Sequence, residues 1–491
     1  MSVTVSSPDG RGFRFAGARG AFVEPGAFVT LRGAEGSQLG QIDAVTHGTD
    51  GAAHGSGRLL GSLGDDGGLD LRHTAAFDDG ELVGASSAQI AALQSSAGAV
   101  LEIGWYLGMQ SEATDVTPAR LLANRFNRHT FWVGQSGSGK TYALGVVLEQ
   151  LLLHTALPIV VFDPNADFVR LGDASASDAR GAELAARDIR ILRPSRGEPN
   201  SLRVRFTDLP TAAKAAVLHL DPLADRAEYN ELIHLEETLG ALRSDEIVPR
   251  LLDRGTSAAR DLAARLENLR VTEWSVWARQ STAATDVVES RPDATVLDLG
   301  GFENPDEPLV VAMAVLDDLW AKRESRRPVL LVIDEAHNLC SPERSDPLHV
   351  AVRERIIQIA AEGRKFGLWL LLSTQRPSRV HTSIVSQCDN LALMKMTSPL
   401  DLDELAAVFG FVPPAMLARA TRFRQGEALF AGGFAPAPSF VRMGERLTPE
   451  GGADVGVPMR AAMALVPTLA VPVPVPTQAL PLPTPPRASD S

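Results

Sequence analysis

Residues 134–141 read Gly134-Gln135-Ser136-Gly137-Ser138-Gly139-Lys140-Thr141. Glycines at this spacing let the backbone wrap an anion, so that several N–H groups point inward at phosphate oxygens. Lys140 sets a positive charge at the outer phosphates, and the Thr141 hydroxyl is of the kind that ligates Mg2+. The whole run, with Tyr142 just inside the following segment, is therefore a candidate nucleotide-binding loop, and ATP with Mg2+ is the cofactor it implies. Such a loop works between a buried strand and a helix whose N-terminal dipole favours negative charge. His129-Thr-Phe-Trp-Val133 reads as the strand. Leu144, Val147, Leu148, Leu151 and Leu152 recur at helical spacing behind the loop. A Gly/Ser-rich linker would show neither flank.

Two further segments carry matching chemistry. Val329-Leu-Leu-Val-Ile-Asp-Glu335 is an apolar strand ending in two carboxylates, at the end where open α/β sheets bind ligands. Asp334 suits the Mg2+ shell, and Glu335 is placed to polarise an attacking water as a general base. Leu370-Leu-Leu-Ser-Thr-Gln-Arg-Pro377 brings Ser373, Thr374 and Gln375 to a strand end. There the Gln375 amide either senses a γ-phosphate or caps backbone groups. Arg376 is within reach of phosphate, DNA or a neighbouring subunit. Lys140, Glu335, Gln375 and Arg376 are the candidate catalytic residues, with Thr141 and Asp334 the candidate metal ligands. Arg364 and Lys365, in Ala361-Glu-Gly-Arg-Lys-Phe-Gly367, either offset a helix dipole or contact phosphate. The letters Asp334-Glu335-Ala336-His337 also mark two-core helicases, but the second core's glycine- and arginine-rich motif is not found.

The chain has 491 residues, 45% hydrophobic and 22% charged, which is globular composition for two to four domains. The net charge of −13 disfavours nucleic-acid binding over the whole surface while leaving room for a local basic channel. Cys340 and Cys388 are too few and too far apart to build a metal site. Met1 to Asp9 lacks the features of a signal peptide, and the apolar C-terminal stretch is broken by prolines. The reading is a cytoplasmic protein without a membrane segment.

Short apolar runs between turns over residues 1–110 suggest a small β-barrel: Ala21–Val23, Ala27–Leu31, Leu39–Ile42, Arg58–Leu60 and Val100–Ile103. Ser86–Ser96 reads as a helix and Glu112–Pro118 as a linker. Residues 111–445 alternate strand and helix signals, as in a doubly wound α/β core of the RecA-like P-loop kind. The region at about 207–285 is a helical insertion rich in Ala and Leu. Residues 446–491 read as a Pro-rich, largely disordered tail.

The order of these elements resembles the HerA–FtsK superfamily of ring ATPases, and HerA-like proteins most closely. The resemblance runs through His129–Thr141, Phe162-Asp-Pro-Asn-Ala-Asp-Phe168, Ile333–Asn338, Glu362–Gly367, Ser373–Ser378, Asp401-Leu-Asp403 and Gly426–Phe430. It covers about residues 100 to 450. It implies a homo-hexameric ring that moves double-stranded DNA, with ATP between subunits and a nuclease or antiphage effector as partner. It also implies an arginine before the loop near the nucleotide, Arg128 or its rival Arg125. The family's Pro-His-Gly-Glu-aromatic run is here Pro164-Asn-Ala-Asp-Phe168, with a carboxylate one methylene shorter. The competing readings are a secretion or conjugation motor, and a nucleotide-held ring that scaffolds an effector.

Overall fold

The computed structural model describes residues 4–18, 23–34, 36–48, 52–107, 117–176, 178–194, 200–239, 246–278 and 281–452. Residues 21 and 22, most of the 112–118 linker and the tail from residue 453 lie outside the described residues. The N-terminal strands are β1 (Thr4–Ser7), β2 (Gly12–Ala18), β3 (Phe28–Gly33), β4 (Gly36–His47), β5 (Ala52–Leu63), β6 (Leu69–Asp70) and β7 (Phe77–Gly84). Their order β2-β1-β7-β3-β4-β5, with β2 pairing back onto β5, closes a barrel, and β6 adds to β5. Phe13, Phe15, Val29, Leu31, Ile42, Ala53 and Leu82 fill its interior. The glycine content of β5 has a packing cause: a Cβ at Gly57 would lie 2.2 Å from the Gln41 carbonyl oxygen and 2.3 Å from the Phe13 ring. Helix α1 (Ser87–Ala97) follows the barrel, capped by Ser86 and Gln89 in a reciprocal box.

The remaining strands form one sheet. They are β8 (Leu101–Tyr106), β9 (Pro118–Leu121), β10 (His129–Val133), β11 (Ile159–Asp163), β12 (Ile189–Leu192), β13 (Ala294–Asp298), β14 (Val329–Ile333), β15 (Leu368–Thr374), β16 (Cys388–Leu393), β17 (Glu427–Gly432) and β18 (Ser439–Met443). The order is β12-β13-β11-β14-β15-β10-β16-β17-β18-β8-β9, parallel from β12 to β16 and antiparallel beyond. β10, β11, β13 and β14 are buried along their whole length, as expected of strands covered on both faces. The run at Val100–Ile103, read from sequence with the barrel, lies in this sheet instead, where β8 pairs with β18. Period-2 patterning cannot say which sheet a strand joins, and its partner here is more than 300 residues away in sequence, beyond Val441.

Between β12 and β13 stand the helices Thr211–Val217, Arg226–Leu239, Ile247–Arg254 and Ser257–Asn268, the helical insertion. The barrel meets the antiparallel part of the sheet. The Gln41 amide donates to the Pro438 carbonyl at 2.6 Å, and the Phe28 and Tyr106 rings pack edge to face. No helix among the described residues is long and apolar enough to cross a membrane.

Candidate nucleotide-binding site

Four strands adjacent in the sheet, β11, β14, β15 and β10, deliver the candidate residues at their carboxyl ends. The phosphate loop leaves β10 and enters helix α2 (Lys140–His154) through Gly137 and Gly139, at φ +75° and +86°. Both angles lie in the left-handed region that glycine tolerates best. The loop is braced from two sides. The Gln135 N–H donates to the Lys395 carbonyl at 2.9 Å, and the Gly426 N–H donates to the Ser138 carbonyl at 3.0 Å. The Gln135 side chain turns away from the loop and accepts from the Thr397 N–H and hydroxyl, at 3.2 and 2.9 Å. Ser136 is exposed in the loop. The Ser138 hydroxyl is buried without a hydrogen-bond partner.

Lys140, only 7% exposed, carries its ammonium into the centre of the site. Nζ is 2.8 Å from Asp334 Oδ1, 2.8 Å from Ser373 Oγ and 3.4 Å from Glu335 Oε1. Burial works against its charge, but Asp334 and Glu335 outweigh it and hold the amine above its ordinary pKa. Burial likewise pushes Glu335 up, yet the His337 ring and Lys140 bring it below the ordinary carboxylate range. His337 Nδ1 lies 3.2 Å from both Glu335 Oε2 and Thr374 Oγ1, so the ring stands against the carboxylate. Glu335 adopts φ +45°, a conformation costing a non-glycine residue about 1–3 kcal/mol, which is typical of side chains held for a task.

A third carboxylate group comes from β11. Asp163 accepts the backbone N–H groups of Asn165, Asp167 and Phe168 at 3.3, 3.0 and 2.8 Å, folding a turn that returns Asp167 toward the loop. Asp167 Oδ2 stands 3.5 Å from the Thr141 hydroxyl. Oxygens of Asp163, Asp167 and Asp334 lie within 4.8 Å of one another. Burial pushes Asp163 up to about 7. Burial and the charge of Asp334 push Asp167 up to about 6. Asp334 Oδ2 is buried without a partner. This donor set fits a hard divalent cation: carboxylates and a hydroxyl, one oxygen unsatisfied, and Asp334 already holding the Lys140 ammonium.

Gln375 directly follows β15 at its carboxyl end and is half-buried. Arg376 is exposed and lines a cavity of about 510 Å³ that also touches Asp334, His337 and Arg379. Tyr142 does not face the loop, since its hydroxyl accepts the Arg446 N–H at 2.8 Å. Arg128 precedes β10, at the opposite end of a strand about 16 Å long, and faces Asp389. It is outside this site, and Arg125, a few residues earlier still, precedes the same end of β10. Arg364 is there too, paired with Asp389, while Lys365 lies over the Phe366 ring. The sequence reading left Asp163 without a role. The signal was present, because Asp163-Pro164 ends an apolar strand just as Asp334-Glu335 does.

A glycine-rich phosphate loop, a buried lysine and strand-end carboxylates on adjacent parallel strands define a P-loop nucleoside triphosphatase of RecA-like architecture. Residues 101–317 match the family model described as the helicase HerA central domain. A probable helicase of Methanocaldococcus jannaschii is 28% identical over 30% of this chain and 29% of its own length. The DNA double-strand break repair helicase HerA of Sulfurisphaera tokodaii is 33% identical over 24% of this chain and 23% of its own. That of Pyrococcus furiosus is 22% identical over 67% of this chain and 69% of its own. The chain thus spans only about a quarter of the first relatives' length and about two thirds of the Pyrococcus one. Among solved structures, VirB4 of Thermoanaerobacter pseudethanolicus gives a TM-score of 0.48 at 14% identity, covering 71% of this chain and 96% of its own. The conjugative coupling protein TrwB gives 0.46 at 14%, covering 72% and 92%. The strand order, and not these scores, carries the fold. The chain is an ATPase, similar over residues 101–317 to the central domain of HerA helicases.

Proposed function

We propose that the protein hydrolyses ATP with Mg2+ and uses the energy to move double-stranded DNA, as a homo-hexameric ring working with a nuclease or other effector protein. The observation that carries the ATPase part is the buried meeting of Lys140, Asp334, Glu335 and Ser373 at one sheet edge. Backbone N–H groups of the loop and Lys140 would bind the phosphates. Thr141 and Asp334 would hold Mg2+, which screens phosphate charge when bound. Glu335, oriented by His337, takes a proton from the attacking water, and Gln375 orients that water. The DNA and ring parts are supported by the HerA relatives, described as DNA double-strand break repair helicases. The place of Arg128 and Arg364 also supports a ring. They are far from their own phosphate loop, so a part in hydrolysis requires a neighbour's nucleotide.

ATP turnover with and without linear duplex DNA, together with the mass of the assembled particle, tests this. Stimulated turnover in a hexamer is expected; a monomer indifferent to DNA overturns the motor. Glu335→Gln separates motor from scaffold. It is expected to bind ATP, hydrolyse it very slowly and lose function. Retained function would establish the scaffold instead.

A further inference from the structure

Helix α2 is covered by the last described segment, Gly444–Gly452. Tyr142, Gly145 and Glu149 are spaced to form one face of the helix, and each meets that segment. The Tyr142 hydroxyl accepts the Arg446 N–H. Glu149, 1% exposed, accepts the N–H groups of Leu447 and Thr448 at 2.8 and 2.9 Å and the Thr448 hydroxyl at 2.6 Å. Gly145 lies beneath the Arg446 guanidinium, where a Cβ would come within 2.5 Å of Nε. Helix-interior glycine weakens a helix; here it makes room for the arginine.

The far end of the segment rests on the Asp167 turn. The Gly451 N–H donates to the Asp167 carbonyl at 3.1 Å. A Cβ at Gly451 would lie 2.1 Å from the Ala166 carbonyl oxygen, and one at Gly452 would lie 2.4 Å from Asp167 Oδ1. Between the two ends, the Arg446 side chain is 1% exposed. Its Nε donates to Thr448 Oγ1 at 3.2 Å and stands 3.6 Å from Glu149 Oε1. Its Cζ is 5.7 Å from the Phe168 ring centre. Both Nη atoms are buried without a hydrogen-bond partner. A guanidinium is a costly packing element. Its position, behind a turn that carries two of the site's carboxylates, gives it an electrostatic reason to be there.

We propose that Gly444–Gly452 is a strap and Arg446 a positioning residue. Together they tie the phosphate-loop helix to the Asp163–Phe168 turn and so fix Asp167 opposite Thr141, at the metal end of the site. This rests on the ATPase reading above. It adds that the chain beyond the last strand sets metal affinity, leaving the phosphate grip to the loop.

The full chain and its Arg446→Met, Arg446→Lys and Gly451→Val variants test it. The readouts are binding of a fluorescent ATP analogue without divalent ion, the Mg2+ concentration that half-saturates the Mg2+-dependent gain in that binding, and thermal melting. Outer-shell partners of a metal site typically change its affinity about 10- to 100-fold. Arg446→Met is expected to raise the half-saturating Mg2+ about tenfold or more while metal-free binding stays within about twofold of wild type. Arg446→Lys should recover part of the loss. Gly451→Val, whose side chain collides with the Ala166 carbonyl in the Asp167 turn, should reproduce the Arg446→Met defect, and it decides the matter if Arg446→Met does not fold. Unchanged Mg2+ dependence in the folded variants, or metal-free binding lost in parallel, would overturn the strap. Failure of the ATPase reading looks different: wild type would then not turn over ATP, whatever the variants do.

Discussion

The two ends of the parallel strands differ in how their polar groups are used. At the amino end the named groups are mutually satisfied. His129, fully buried, uses both ring nitrogens: Nδ1 accepts the Leu370 N–H at 2.9 Å and Nε2 meets the Ala360 carbonyl at 3.0 Å. Arg128 and Arg364 share Asp389, and Lys322 bridges Glu289 and Asp318. At the carboxyl end, Ser138 Oγ and Asp334 Oδ2 are buried without hydrogen-bond partners, and three carboxylates crowd together. Buried polar atoms are normally paired. The same strands thus end in paired ions and a doubly bonded histidine on one side and, on the other, in a carboxylate cluster with unpaired buried oxygens beside the phosphate loop.

The largest effect should come from breaking the carboxyl end. Lys140→Ala removes the cation that Asp334, Glu335 and Ser373 share. ATP turnover is expected to fall about 100-fold or more, with nucleotide binding weakened in step. Glu335→Gln should match that loss of turnover with binding retained. Steady-state hydrolysis and equilibrium binding on the same preparations check both. If Glu335→Gln turns over normally, the carboxyl end is not catalytic in the way its geometry indicates.

The amino end should answer in stability. Burial first, and then the Arg364 charge, bring His129 down to about 4 from an ordinary 6.5. The folded state therefore favours the neutral ring. Its contribution is fully present above pH 6.5 and is lost as pH falls from there toward 4, amounting to roughly 3 kcal/mol. His129→Phe should lower stability at pH 7 by about 1–3 kcal/mol, since the Leu370 N–H loses its acceptor. It should also flatten the acid dependence across that window. Denaturant melts at several pH values read both effects, and an unaltered pH slope would count against the assignment.

A smaller effect sharpens the contrast. Arg128→Ala touches only an exposed ion pair 3.9 Å long, so stability should move by less than about 1 kcal/mol. Turnover should drop only at concentrations where the protein assembles, because Arg128 is out of reach of its own loop. A loss independent of protein concentration would place its action within one subunit.

The carboxyl end was legible in the sequence because its chemistry is written in contiguous motifs. The loop at 134–141, the carboxylates after β14 and the hydroxyls after β15 each follow an apolar strand, and strand order alone brings them together. The barrel and the helical insertion were legible from patterning. What contiguity cannot show is pairing at long range. The membership of β8 in the large sheet depends on β18, and the antiparallel strands β17 and β18 carried no motif recognised as a strand. Arg128 is a nucleotide neighbour only by the resemblance, and a strand's length separates it from the loop of its own chain. Residues 446–452 were read with the Pro-rich tail, and their grip on α2 depends on Glu149, a residue with no signal of its own.

Ala166 should give the smallest change and the finest comparison. It adopts φ +60°, where an L-residue costs about 1–2 kcal/mol and glycine costs little. It occupies the position at which the resemblance noted from the sequence implies glycine. Ala166→Gly relieves the strain in the folded state but gives the unfolded chain more freedom, which opposes the gain by about 0.4–1 kcal/mol. The net stability change should therefore be positive and under about 1 kcal/mol. The Asp167 turn is held by Asp163 on one side and Gly451 on the other, so the carboxylate should keep its place and the Mg2+ dependence of nucleotide binding should not move. A stabilised variant with weakened Mg2+ response would mean that the strain itself, and not the strap, aims Asp167.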